Sequence, residues 1–312
     1  MVHILNPVSI KVRIVFENDF LIKDYTSKLV KSILISGSKT LEEIFTKEKW
    51  EPKPIHITPL FKIEGSKKSA VYTRYIPSKE TASPGGILER LKPIKIYGGV
   101  EYVFYIGTPL DLENEFLNSL AGVDRVLFGK EHVVVKRVMI EKEYIDLQEE
   151  SVKLSEKLVS RDVDSIKIIF ESPAMLKDPL VVHRERKKKI FYPLPEAVLS
   201  TPIYMILVSQ GRLRKSVYIK VLRYIKTIFD VPYTTLKTVN IAWLVYNNKL
   251  IPGLIGYTKY FIDKQALTMA MNNSAKYNID ILDMLSKALA LAKVYGVGTG
   301  RATGFGHISI QI

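Results

Sequence analysis

The sequence predicts an α+β protein in which one β-α-β-β-α-β order of strands and helices occurs twice. Segments that alternate apolar and charged residues, typical of half-buried strands, and segments with apolar residues at helical spacing follow one another in this order between residues 8 and 144. The same order returns between residues 166 and 312. The chain has 312 residues, which is enough for two domains of ordinary size.

The first copy of the pattern begins at residues 8–16, where every even-numbered position is apolar, as in a strand with one buried face. Helical spacing predicts a helix from Phe20 to Ser36. Asp111 is a suitable N-cap for a second helix that ends at Ala121. The other strands of this copy are predicted at 55–63, 100–107 and 132–144.

The second copy begins with a strand at 166–171, and a helical region follows at 195–229, interrupted near Gly211. Two strands joined by a turn at Asn247-Asn248 come next, at 235–246 and 254–262. A helix at 280–294 and a last strand at 307–312 complete this copy.

This order of elements predicts tandem ferredoxin-like (RRM-like, βαββαβ) domains. The first domain is expected at 1–155, with an inserted loop at 64–99 that is rich in Lys, Ser, Gly and Pro. The second is expected at 156–312 and contains a glycine-rich loop at 296–306. A charged stretch at 141–164 is predicted to contain the linker.

The composition limits the partners and the chemistry that this protein is expected to have. The formal net charge of +14 favours a polyanionic partner, with nucleic acid first and an anionic membrane surface second. No apolar run approaches the roughly 18 residues of a membrane span, and the protein is expected to be cytoplasmic. The absence of cysteine excludes disulfides, cysteine-ligated zinc and thiol catalysis. Without an H-x-x-x-H motif or an acidic cluster, neither a metal nor another cofactor is predicted.

The loop at 296–306 holds five glycines and one charged residue, Arg301, between a helix and a strand. A dinucleotide-binding glycine motif has the reverse order, strand before helix, so a nucleotide cofactor is not expected. A helix C-cap explains one or two glycines but not five. Glycines at this density allow close backbone approach to another molecule, and their N–H groups suit an anion such as a nucleic-acid backbone.

Four segments carry a family resemblance. The loop G-V-G-T-G-R-A-T-G-F-G at 296–306 resembles the signature before the last strand in the RAMP superfamily of CRISPR-associated proteins. I-T-P-L-F-K-I-E-G at 57–65, F-E-S-P-A-M-L-K-D at 170–178 and I-P-G-L-I-G-Y-T-K-Y-F-I-D at 251–263 are similar to other motifs of its sixth Cas family. That family comprises endoribonucleases that cut CRISPR repeat RNA.

The resemblance implies tandem ferredoxin-like domains and metal-independent cleavage of precursor CRISPR RNA within its repeats. The RNA 2′-hydroxyl attacks the adjacent phosphate and leaves 2′,3′-cyclic phosphate and 5′-hydroxyl ends. The implied partner is CRISPR repeat RNA, and a homodimer or association with other Cas effector-complex subunits is compatible with the family. The alternative is a non-catalytic RAMP subunit that only binds RNA.

The family often has a catalytic histidine in the stretch that matches residues 41–49, but this chain has none there, which is similar to a histidine-poor subgroup that uses lysines. Lys28 and Lys31 are expected on the polar face of the first helix, one turn apart, as charge stabilisers or acid and base. Lys28 also has the spacing for an ion pair with Asp24. Two further catalytic candidates are Lys53, which lies before the next strand at a position where the resemblance implies a lysine, and His56, which is expected on the polar face of that strand.

Basic and aromatic residues outside this group are candidates for RNA contact. The expected phosphate ligands lie in two basic tracts and on a strand of the second domain, while the glycine loop is expected to follow the RNA backbone. Tyr97 and Tyr102 are candidates for base stacking, and His307 for RNA contact or for packing at the start of the last strand. The predicted RNA-binding set is Arg184, Arg186, Lys188, Arg212, Arg214, Lys237, Gly298, Gly300, Arg301, Gly304 and Gly306.

Overall fold

The computed structural model describes residues 5–46, 53–65, 67–75, 93–129, 131–181, 188–247 and 249–312. Within these ranges the two largest sheets are antiparallel, and each packs one face against helices around its own apolar core. The predicted class, two ferredoxin-like units in tandem, is confirmed.

The first unit is built on the sheet order β5-β4-β8-β1-β10-β9, with β3 beside β8. Its even-numbered β1 residues are buried against the helices, as the alternation predicts. The described elements are β1 (Pro7–Phe16), β2 (Phe20–Ile22), α1 (Ser27–Ser36), α2 (Lys39–Thr46), β3 (His56–Ile57), β4 (Phe61–Glu64), β5 (Lys67–Ala70), β6 (Arg74–Tyr75), β7 (Ile94–Ile96), β8 (Glu101–Pro109), α3 (Glu113–Ala121), β9 (Arg125–Phe128) and β10 (Glu131–Tyr144).

The second unit has the sheet order β17-β11-β16-β15-β6, with β14 beside β16. The strand β6 lies more than a hundred residues before β15, pairs with it, and so joins the first unit to this sheet. The described elements are α4 (Leu147–Val159), β11 (Ser165–Ala174), β12 (Leu176–Lys177), β13 (Lys189–Ile190), α5 (Pro195–Val198), α6 (Ser200–Ser209), α7 (Lys215–Ile228), β14 (Phe229–Asp230), α8 (Thr235–Thr238), β15 (Val239–Tyr246), β16 (Lys249–Ile262), α9 (Lys264–Ala275), α10 (Ile281–Tyr295) and β17 (Ile308–Gln311).

Several predicted elements of the first unit are wrong in detail. The helix predicted from Phe20 begins only at Ser27, because residues 20–22 pair with β7 as a short strand. The strand predicted at 55–63 is broken at 58–60, where Pro59 has no N–H to give to a sheet. The helix predicted after Asp111 starts at Glu113 behind a 3₁₀ turn, and no side chain caps it.

In the second unit, the long helical region is interrupted near Gly211 as expected, and the helix predicted at 280–294 is α10, with Asp280 as its N-cap. The charged stretch at 141–164 contains the helix α4, which Asp146 caps and which packs on α10. The helix α9 is absent from the prediction, because it buries only Leu267, Ala270 and Ser274 and so has a weak apolar pattern.

No helix among the described residues is long and apolar enough to cross a membrane.

Candidate functional site

The glycine loop lies between the two units and packs against the first turn of α1. The hydroxyl of Tyr25 donates a hydrogen bond to the carbonyl of Gly304 at 2.8 Å, and Ser27 Oγ donates to the carbonyl of Thr303 at 2.7 Å. Gly304 has φ +95°, and a Cβ atom there would lie 2.3 Å from the Cβ of Ser27. This glycine is therefore required by contact with the protein's own first unit.

Deeper in the loop, a second glycine is required by the backbone of the loop itself. Gly306 has φ +80°, and a Cβ atom there would lie 2.0 Å from the carbonyl oxygen of Val297. Gly298 and Gly304 are buried, and Gly300 is half-buried. The glycines predicted to follow an RNA backbone are thus largely occupied by internal packing, which explains why the loop needs so many of them.

Arg301 is 4% exposed, in contrast to the predicted RNA contact. Its Nη1 donates to the carbonyl of Tyr295 at 3.0 Å, and its Nη2 donates to the carbonyl of Lys53 at 2.9 Å. Burial lowers the pKa of this guanidinium to about 10. The correction has a physical reason: the side chain turns inward because the end of α10 and the residue Lys53 present carbonyl oxygens that need donors.

The three lysines predicted as catalytic come together beside this loop. Lys28 forms the predicted ion pair with Asp24, and its Nζ lies 5.4 Å from the ring centre of Tyr246 on β15 of the second unit. Lys31 Nζ lies 5.4 Å from the ring centre of Phe45. The clustered ammonium groups bring several positive charges to the surface where α1 meets the second unit.

Lys31 and Lys53 have perturbed pKa values. Burial and then the charge of Lys28 lower the pKa of Lys31. Burial and then the charge of Lys31 lower the pKa of Lys53, whose Nζ donates to the carbonyl of Phe45 at 2.7 Å. A lowered lysine pKa increases the neutral fraction that can accept a proton.

His56 is fully buried, so its predicted place on an exposed polar strand face is wrong. The short strand β3 is covered on one side by the core of the first unit and on the other by the turn at 301–303. Nδ1 of His56 lies 3.2 Å from the carbonyl oxygen of Arg301, and Nε2 of His56 lies 3.3 Å from Nδ1 of His307. Burial, then the charges of His307 and Arg301, hold the pKa of His56 well below its usual value.

The predicted RNA-binding residues of the second unit are spread over its surface. Arg184 and Arg186 lie outside the described residues. Lys188 and Arg214 are exposed, and half-buried Arg212 donates to the carbonyl of Asn278. The prediction places Lys237 on a strand, but it is exposed on α8, because residues 235–238 form a single helical turn before β15.

The two tyrosines proposed for stacking differ. Tyr97 is 45% exposed. Tyr102 is 1% exposed, and its hydroxyl accepts a hydrogen bond from the backbone N–H of Tyr97 at 3.0 Å, so it belongs to the core. Alternation along β8 indicates this burial, since Tyr102, Phe104 and Ile106 share one face.

Sequence reasoning missed a polar chain across the two units. Lys68 on β5 forms an ion pair with Glu171 on β11, and Glu171 Oε2 lies 3.3 Å from Nε2 of His307. The ring of His307 stacks on Tyr105 with centres 5.0 Å apart. In the sequence Glu171 follows the apolar run Ile168-Ile169-Phe170, and nothing in that pattern indicates its partners.

The fold and the site together define a class of protein in which a glycine-rich loop before the last strand lies between two ferredoxin-like units. Residues 8–142 match the family model of the Cas6 N-terminal domain. The first unit is therefore similar to a Cas6 N-terminal domain. No curated protein matches it in sequence.

Solved structures agree with this assignment at the level of the fold. A Cas6 product complex has a TM-score of 0.61 at 14% identity and covers 98% of this chain and 100% of its own. Thermus thermophilus Cas6 has a TM-score of 0.55 at 13% identity, and both chains are covered to 98%. A Cas6-related protein from Pyrococcus furiosus has a TM-score of 0.51 at 11% identity, again with 98% of both chains covered.

Proposed function

We propose that this protein is a metal-independent endoribonuclease that cleaves precursor CRISPR RNA within its repeats. The observation that carries the proposal is the lysine cluster of Lys28, Lys31 and Lys53 beside the glycine loop, in a chain with a Cas6 N-terminal domain. The solved relatives include a product complex, and a net charge of +14 suits an RNA partner.

The proposed chemistry uses a nucleophile that belongs to the substrate. A 2′-hydroxyl loses its proton and attacks the adjacent phosphate, the bond to the 5′-oxygen breaks, and that oxygen takes up a proton. The products are a 2′,3′-cyclic phosphate and a 5′-hydroxyl. No metal site is required, and no group of three His, Asp or Glu side chains within the described ranges is arranged to hold one.

The three lysines are proposed to have different roles because their surroundings differ. Lys28, balanced by Asp24, is suited to hold a phosphate by charge. Lys31, half-buried and with a lowered pKa, is suited to exchange a proton, and Lys53 is its neighbour for stabilising the pentavalent phosphorane. Surface residues Lys188 and Arg214 are proposed to contact phosphates farther along the RNA.

The test is cleavage of repeat RNA from the source genome in EDTA, with the product ends mapped. We expect one cut per repeat and a cyclic phosphate on the upstream fragment. A 2′-deoxy nucleotide at the cleavage position removes the nucleophile and should abolish cutting. Uncut repeats under metal-free conditions, with RNA binding intact, would refute the enzyme.

A matched pair of variants tests the lysine site. Lys31→Ala is expected to lower the cleavage rate by about 10²–10⁴-fold, the range of general acid–base contributions, with affinity reduced much less. Lys39→Ala is the control, since Lys39 is exposed on the adjacent helix α2. Equal rates for the two variants would contradict the catalytic assignment of Lys31.

A second candidate function is RNA binding without cleavage, as a subunit of a CRISPR effector complex. The observation that favours it is the absence of an accessible imidazole within the described part of the site, since His56 and His307 are both buried. This alternative predicts tight repeat binding, no cyclic phosphate, and salt-dependent affinity that drops equally in Lys28→Ala and Lys31→Ala.

A further inference from the structure

A chain of polar contacts crosses the boundary between the two units and uses groups that the proposed chemistry does not need. It starts at Lys68 of the first unit and passes through Glu171 and His307 of the second unit. It returns to His56 of the first unit and ends on the backbone carbonyl of Arg301 in the second. Each of these contacts except the one between Glu171 and His307 therefore joins one unit to the other.

The contacts restrict where the ring protons can lie. A carbonyl oxygen only accepts hydrogen bonds, so the 3.2 Å contact with Arg301 is a hydrogen bond only when His56 carries a proton on Nδ1, and we assign the proton there. The neutral ring then has a lone pair on Nε2, which accepts the Nδ1–H of His307 at 3.3 Å. His307 is left with Nε2 facing the carboxylate of Glu171 at 3.3 Å, and that contact is a hydrogen bond only when Nε2 also carries a proton.

Two successive protons added to the rings of His307 and His56 therefore have opposite effects on the contacts. One additional proton on Nε2 of His307 completes the contact with Glu171. A further proton on Nε2 of His56 places two N–H groups face to face and two charged rings side by side, with centres 5.4 Å apart. The hydrogen bond between the units cannot survive that step.

We propose that His56 and His307 form an interdomain latch that positions the turn at Arg301 and that opens when both rings become imidazolium ions. The latch acts through Arg301, because the guanidinium of the same residue binds the carbonyl of Lys53 at 2.9 Å. His56 is thus a positioning residue. Its link to activity through Lys53 rests on the proposed function, but the latch itself does not.

The charged groups around the pair act in opposite directions. Burial lowers the pKa of both histidines, the charge of Arg301 acts the same way on His56, and the charge of Lys68 does so on His307. Glu171 opposes this at His307 and remains a carboxylate, with a pKa of about 2. The rings of Tyr105 and Phe61 pack against His307, with centres 5.0 and 5.9 Å from its own.

The stability that the latch contributes depends on pH. The unfolded chain takes up a proton on His56 near pH 6.5, whereas the folded chain takes it up at a much lower pH. The latch therefore contributes its stability above about pH 6.5, and that contribution is lost as the pH falls through the folded-state pKa. Each unit of difference between the two pKa values corresponds to about tenfold in the ratio of folded to unfolded protein.

The first experiment needs no RNA. The chain has five histidines, so ¹⁵N-resolved NMR of the imidazole rings can assign tautomers one by one. At pH 7.5 we expect His56 in the Nδ1–H form, with Nε2 unprotonated and accepting a hydrogen bond. An Nε2–H tautomer of His56, or titration of its ring near pH 6.5, would overturn the latch.

The second experiment compares variants. In His56→Gln the amide can donate to the carbonyl of Arg301 and accept from His307 without titrating. We expect the thermal midpoint of this variant to fall less between pH 7.5 and about pH 5 than that of the wild type. His132→Gln, on the exposed end of β10, is the control and should keep the wild-type slope. Equal slopes for all three proteins would reject the proposal.

The pH profile of RNA cleavage is a further measurement, and a residue with only a structural role would not shift it. The acid limb of the wild-type cleavage profile should shift in His56→Gln and stay in place in His132→Gln. If neither protein cleaves RNA, the proposed function fails while the NMR and unfolding results still decide the latch. If His56→Gln does not fold, the tautomer measurement on the wild-type protein decides it alone.

Discussion

Replacing Gly304 by alanine tests whether the glycine loop is shaped by contact between the two units. Two effects combine at this position. The backbone has φ +95°, where a residue with a Cβ is strained by about 1–2 kcal/mol. The new methyl group would also lie 2.3 Å from the Cβ of Ser27, so the loop must move away from α1.

That movement has a calculable cost. It breaks the hydrogen bonds from Tyr25 to Gly304 and from Ser27 to Thr303, each worth about 1 kcal/mol. Together with the backbone strain, we expect Gly304→Ala to lower the free energy of unfolding by about 3–4 kcal/mol. The contribution that belongs to the contact between units is about 2 kcal/mol of this.

A matched control separates the two effects. Gly65, in the turn between β4 and β5, has φ +60°, and a Cβ there meets no atom within 4 Å. Gly65→Ala should therefore lose only the backbone part, about 1–2 kcal/mol. Both variants are compared with the wild type by chemical or thermal unfolding. Equal losses in the two variants would refute the reasoning that the loop is set by packing on α1.

Three further predictions concern the same boundary. A Cβ at Gly107 would lie 2.0 Å from the carbonyl oxygen of Val294, so Gly107→Ala should separate β8 from α10 and lower the thermal midpoint more than Gly65→Ala does. Glu171 has its pKa lowered to about 2, so wild-type stability should fall as the pH drops from about 4.5 to 2, and Glu171→Gln should lose about 3 kcal/mol of this dependence in acid unfolding curves. Arg301→Lys retains the positive charge but cannot bind the carbonyls of Lys53 and Tyr295 together. We expect at least a tenfold loss of repeat-RNA affinity or cleavage, because Lys53 is displaced and not because an RNA contact is lost. Unchanged affinity and cleavage would disprove this structural role.

The fold was predictable because its signals are local. Alternation at 8–16 and helical spacing at 280–294 each report one buried face, and the order of such elements restricts the topology. The errors have local causes as well. A strand of three residues at 20–22 is too short to show a period, and α9 buries too few residues to show a stripe.

The site was only partly predictable. Lys28 and Lys31 lie one turn apart on a helix, so their proximity is a matter of spacing. The contact of His56 with Arg301 joins residues 245 positions apart, and no periodicity encodes which buried face will meet which loop. A histidine next to apolar neighbours in a strand has the same pattern whether its polar face meets water or another domain.

The glycine loop shows why a motif can identify a family without identifying its ligand contacts. Gly304 and Gly306 are required because a Cβ atom at either position would clash with other atoms of the protein. The guanidinium of Arg301 donates its hydrogen bonds to backbone carbonyls of both units. The loop signature therefore marks the way in which two ferredoxin-like units are joined. In the proposed function, contacts with RNA fall to side chains that this junction leaves partly exposed, which among the catalytic candidates are Lys28, Lys31 and Lys53. Because the loop packs on α1 and Arg301 binds the carbonyl of Lys53, we expect changes in the loop to alter cleavage by moving these lysines.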